Sequence, residues 1–106
     1  MIPQRELGER GSVEGTFQRS GLITLIDKKT KAEKEVQRYE FRDDAGQKFV
    51  ILGRTMLDSA MDRVFEAEGG QEQCIGLVMR IERGEDSRLK GGRTMGDYSV
   101  TVWEAD

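Results

Sequence analysis

The order of the segments constrains this chain most. Three runs of β-type patterning come first, then one run of helical patterning, then two more β-type runs. Residues 13–27 are long for a strand and contain Gly15, Ser20 and Gly21. A first strand that pairs with different neighbours at its two ends must bend, and glycine marks such a bend. The bend is expected near Ser20-Gly21. Residues 36–41 alternate and read as a second strand. Asp43-Asp44-Ala45-Gly46 reads as a turn, with Gly46 free to take positive φ. Residues 48–52 form the third strand, so strands two and three make a hairpin.

The helical run is the clearest local signal. Met56, Leu57, Ala60, Met61, Val64 and Phe65 fall on one apolar stripe. Thr55 is suited to cap the helix, with Asp58 at the third position. Gly69-Gly70 supplies the stop. A fourth strand is expected from Cys74 to about Arg83, with Ile75, Leu77, Met79 and Ile81 on one face. A fifth is expected over residues 97–104, with Tyr98, Val100 and Val102 on one face. This order defines an all-β fold with one helix: the OB-fold, a five-stranded Greek-key barrel whose α-helix lies between strands 3 and 4. Residues 1–12 are polar and read as a flexible N-terminal arm before an OB-fold domain at 13–106.

Composition narrows the chemistry. A length of 106 residues fits one domain with a modest core. The chain is 36% apolar and 35% charged, as suits a small, well-wetted barrel. Net charge is −3, so any attraction to nucleic acid must come from a local basic patch. There is no histidine, which removes the commonest metal ligand and the usual general base near neutral pH. Cys74 is the only cysteine, so no internal disulfide or cysteine zinc site is possible. No catalytic residue, metal site or cofactor is expected. No apolar run is long enough to cross a membrane, and the first residues lack a signal-peptide core, so a cytoplasmic location is expected.

The two loops that flank an OB-fold's ligand groove join strands one and two, and strands four and five. Here Lys28, Lys29, Lys31 and Lys34 occupy the first, with Arg38 just inside strand two. Arg88, Lys90 and Arg93 occupy the second, beside Gly91-Gly92. Lysines on two loops can clamp a phosphate backbone with little sequence preference. Equally, lysine is the ordinary way to solvate a loop, and Glu33, Glu35, Glu85 and Asp86 dilute the charge.

Base stacking would need aromatic side chains beside those cations. Tyr39 and Phe41 alternate against Arg38 and Glu40, so they are expected in the core. Strand three is apolar on both faces, Phe49 and Ile51 against Val50 and Leu52. One pair should point outward, and if it is the first, Phe49 becomes a stacking platform. Tyr98 borders the glycine-rich loop, at the groove edge or in the core. Trp103 alternates against Val100 and Val102 and should face out, to stack on a base, pack under the arm or join a dimer contact. The acidic groups Asp43-Asp44, Glu66-Glu68 and Glu82-Glu85-Asp86 read as solvated surface.

Residues 14–103 resemble small bacteriophage OB-fold proteins of the single-stranded DNA-binding type. The matching stretches are Glu14-Gly15-Thr16, Phe49-Val50-Ile51-Leu52-Gly53 with Met56-Leu57-Asp58-Ser59, and Lys90-Gly91-Gly92-Arg93-Thr94 leading into Asp97-Tyr98-Ser99-Val100. The chain departs from that pattern at Met95, where an aromatic is common, and in a first loop that is nearly all charge. The resemblance implies a non-catalytic module for single-stranded DNA or RNA, acting in phage DNA replication or recombination. Its site size would be roughly 4–16 nucleotides. The rival expectation is an OB-fold used for protein contact, for example a phage factor that occupies a host protein or forms part of an assembly.

Overall fold

The long first strand decides the architecture, because it serves two neighbours. In the computed structural model, which describes residues 2–8, 10–88 and 94–105 (the backbone alone at 85–88 and 94–96), β1 spans Ser12–Ile26. It pairs with β4 (Leu77–Arg88) through residues 12–16 and with β2 (Glu33–Arg42) through residues 16–26. β3 (Lys48–Leu52) lies beyond β2, and β5 (Thr94–Glu104) beyond β4. The result is one antiparallel sheet of five strands in the order β3-β2-β1-β4-β5. The main helix α1 (Thr55–Glu68) connects β3 to β4, as the sequence order implied. A single turn, α2 (Gln71–Cys74), follows it.

The bend in β1 lies earlier than expected. The β1–β2 register slips between Phe17 and Arg19, so Gln18 is the bulged residue. Gly21 has no left-handed φ, and a Cβ added there would meet nothing within 4 Å. Within β1, Gly15 is the glycine that sterics require. A Cβ there would lie 2.9 Å from Phe49 Cζ and 3.0 Å from Phe41 Cβ. The Phe41 and Phe49 rings stack at 5.5 Å between centroids, and Phe17 meets Phe41 edge-on at 5.7 Å. Around them Tyr39, Ile51, Leu57, Met61, Met79 and Ile81 complete the core.

The helix bounds follow from its ends. Gly69 takes φ +92, and the amides of Gly69 and Gly70 bond back to Glu66 and Phe65, a left-handed stop that glycine permits. The start differs from expectation. Arg54, not Thr55, is the cap residue, and no side chain caps the first turn. The Asp58 carboxylate instead accepts a 2.6 Å hydrogen bond from the Tyr39 hydroxyl. Burial first, and that carboxylate second, push the Tyr39 phenol far above its ordinary value. Strand four also starts later than expected. Cys74 ends α2 with its thiol buried, and Ile75 is exposed rather than inside β4.

The N-terminal segment, read as a loose arm, is tied to the sheet. Val50 donates its amide to Pro3 O and accepts from the Arg5 amide, both within 2.9 Å, so Gln4 forms a parallel bridge on the free edge of β3. Further on, Arg83 donates to Leu7 O from its guanidinium and to Gly11 O from its amide. Among the described residues β3 and β5 do not pair, and the arm takes the β3 edge instead.

Two substitutions check this packing. Gly15→Ala forces its new methyl against Phe41 Cβ and the Phe49 ring, and should destabilise the protein by about 1–3 kcal/mol in urea unfolding. Tyr39→Phe removes the bond to Asp58 and should cost about 1 kcal/mol at neutral pH. The folded phenol titrates above its unfolded value of about 10, so its contribution is complete below that pH and is lost as pH rises beyond it. The gap between wild type and Tyr39→Phe should therefore shrink in alkaline unfolding curves.

Candidate nucleic-acid interface

The β1–β2 hairpin extends past the rest of the sheet, and its tip is shaped by one carboxylate. Asp27 Oδ1 accepts from the amides of Lys29 at 2.7 Å and Thr30 at 3.2 Å. Those bonds hold the Asp27 carboxyl below the usual carboxylate range. Lys31 closes the turn, donating its amide to Asp27 O at 2.8 Å, with a left-handed φ of 61. Lys28, Lys29 and Lys31 are thus held on a defined turn with exposed side chains.

Beside the hairpin runs a groove of about 400 Å³. Its walls are Leu25, Lys34 and Val36 of the hairpin, the end of β3 with Gly53-Arg54-Thr55, the arm at Gln4 to Leu7, and Tyr98 of β5. The cations along it are Arg5, Lys34 and Arg54, and Glu6 is the one acid in the lining. Arg5 is partly neutralised. It bridges to Asp43 at 2.9 Å and lies 4.1 Å above the Phe49 ring. Among the described residues neither Lys34 nor Arg54 forms an ion pair. Arg54 and Thr55 also begin α1, whose first turn has no side-chain cap, so the positive end of the helix adds to the field there.

The expected site residues are dispersed by this geometry. Lys34 and Tyr98 line the groove. Lys28, Lys29 and Lys31 stand at the hairpin tip above it. Arg38 is committed to Glu40 at 3.4 Å, and Arg19 reaches the same carboxylate oxygen at 3.3 Å. Glu40 is 2% exposed although it lies on the face opposite the aromatic core, and both guanidiniums meet its carboxylate there. Arg88 ends β4 opposite Thr94 rather than sitting in a loop. Lys90 and Arg93 lie outside the described residues.

Phe49 is not a stacking platform. It is 1% exposed, with Phe41 on one side and Arg5 on the other. Both faces of β3 are apolar because both are buried, Phe49 and Ile51 in the core cluster and Val50, 5% exposed, on the other face. Trp103 does face outward, 39% exposed, and pairs with Val78. It lies five positions from Tyr98 on the opposite face of β5, roughly 17 Å along the strand, and does not line the groove. The arm is bonded elsewhere, to β3 and to Arg83 and Gly84. Arg5 and Arg54 were missed in the sequence because one lies in the arm and the other between elements.

Among the described residues no group of acids and cysteine is arranged to hold a metal ion. Burial, followed by the nearby Glu68 charge, raises the Cys74 thiol above its ordinary value, which fits an unreactive sulfur. Comparison with family models, with curated proteins and with solved structures finds no match to this chain.

The left-handed angle at Lys31 yields a test of the hairpin. A non-glycine residue there carries a backbone cost of about 1 kcal/mol or more, partly offset by the greater unfolded freedom of glycine. Lys31→Gly should raise unfolding free energy by about 0.5–1 kcal/mol. A decrease would show that the Lys31 side chain itself holds the turn.

Proposed function

We propose that this chain is a non-catalytic OB-type module that binds single-stranded nucleic acid, DNA first, in the groove beside the β1–β2 hairpin. The strand order β3-β2-β1-β4-β5 with α1 between β3 and β4 supports the OB reading. One observation carries the function: Lys34 and Arg54, both without a paired acid among the described residues, share a groove with Tyr98 and the uncapped start of α1. Phosphates would meet the cations and first-turn amides, and a base would stack on Tyr98. The lysines at the hairpin tip extend the basic track, and Lys90 and Arg93 would extend it from the β4–β5 side. Because the groove offers few hydrogen-bonding groups in a fixed array, little sequence preference is expected. The phage setting and a role in replication or recombination rest on the sequence resemblance alone.

A second reading, protein contact, has its own observation. Leu22 and Ile26 are each 62% exposed on the hairpin, and Leu25 is 40% exposed. No helix among the described residues is long and apolar enough to cross a membrane, so these side chains are not part of a helical span.

Titrating labelled oligo-dT at low and high salt tests the nucleic-acid reading. Binding should be measurable at low salt and weaken steeply as salt rises. Lys34→Ala with Arg54→Ala should weaken binding and reduce the salt slope by about 0.7 per lost phosphate contact. Trp103, the sole tryptophan, should keep its emission at saturating DNA because it lies away from the groove. No binding at low ionic strength would remove the reading, and strong quenching of Trp103 would move the site to the outer face of β4 and β5.

A further inference from the structure

The distal half of β1 is an open sheet edge. β4 covers β1 only through Thr16. Beyond that, α2 and its C-terminal neighbour reach β1 at two points, where Gly76 donates its amide to Phe17 O and Gln71 donates Nε2 to Ser20 Oγ. Among the described residues nothing bonds to the backbone of residues 21–26 on the side away from β2.

The two edges of this hairpin differ in kind. The β2 edge carries Glu33, Lys34 and Glu35, the sort of charge that blunts strand-to-strand pairing. The β1 edge, Ser20-Gly21-Leu22-Ile23-Thr24-Leu25-Ile26, carries none, in a chain that is 35% charged. Its order is also close to a palindrome: Leu-Ile-Thr-Leu-Ile is apolar on both sides of a central threonine. An antiparallel pair of identical strands is related by a two-fold axis, so each residue meets its mirror position. A strand that is apolar on both sides of its midpoint suits that arrangement.

We propose that this edge pairs with the same edge of a second copy, antiparallel about an axis at Thr24. In that register Leu22 of one copy opposes Ile26 of the other on the face shared with Tyr39. Ile23 opposes Leu25 on the face shared with Arg38. The two Thr24 side chains face each other, a favourable cross-strand pair. Side chains exposed in the single chain, Leu22 and Ile26 above all, gain apolar neighbours. The axis runs perpendicular to the joined sheet, so the grooves beside both hairpins lie on one side of it. The pairing does not depend on what those grooves bind.

Sedimentation equilibrium of the full chain at tens of micromolar should give a dimer. Thr24→Lys sets two ammonium groups directly opposite and should give a monomer with an unchanged far-UV circular dichroism spectrum, since Thr24 is exposed. Leu22→Glu and Ile26→Lys should each weaken the dimer roughly tenfold or more. Together they should restore it, because Glu then opposes Lys across the axis. Thr24→Cys should cross-link to a covalent dimer on mild oxidation, while the wild type, with Cys74 buried, should not. A wild-type monomer overturns the proposal and leaves the edge for a strand of another protein. A dimer indifferent to Thr24→Lys, or one that fails to cross-link through Thr24→Cys, overturns it as well.

Discussion

The Phe49 ring and the Phe41 Cβ pack so close over Gly15 that a side chain there would collide with them. β4 pairs with β1 up to Thr16, and β2 takes over from Thr16 onward. One strand then belongs to two halves of a curved sheet. The bulge at Gln18 follows from the same demand. Phe17 must point into the aromatic cluster and Ser20, not Arg19, must continue that face along the hairpin, so one residue is stepped over.

Everything beyond the bulge inherits that geometry. Past Thr16 β1 has lost β4, so the hairpin extends with β2 alone, and its side chains lack a second layer. That explains why Leu22, Leu25 and Ile26 stay exposed while most other large apolar side chains among the described residues are covered. The extension creates the groove wall at Leu25, Lys34 and Val36, and it leaves the uncharged β1 edge open. The proposed nucleic-acid site and the proposed pairing edge are two sides of one structural event.

The arm has the complementary role. β3 is short, and among the described residues its outer edge would be bare without Pro3 to Arg5. Backbone groups left bare in that way invite pairing with other chains. Arg5 fastens the arm through charge at Asp43 and through its plane on Phe49. Asp43 is in turn held by the Gln47 amide first, then by Arg5 and the Ala45 amide, which keep its carboxyl below the usual range. The turn between β2 and β3 therefore serves as the anchor for the arm.

Local pattern was enough to read the helix over residues 55–68, the third strand at 48–52 and the inward set of Tyr39 and Phe41, because periodicity and a glycine stop depend on neighbours in the chain. It was enough as well to expect one antiparallel β-rich unit with its helix between β3 and β4. It did not reveal that Phe49 is covered, since the cover comes from Arg5, forty-four positions away. It misplaced the start of β4, because Cys74-Ile75 alternate like a strand but are taken up by a helical turn packed on β1. Of the expected basic residues, Lys34 lines a groove, while Arg38 is spent on a buried glutamate. Which cations stay unpaired is a question of through-space partners, and only the tertiary structure brings those partners within reach.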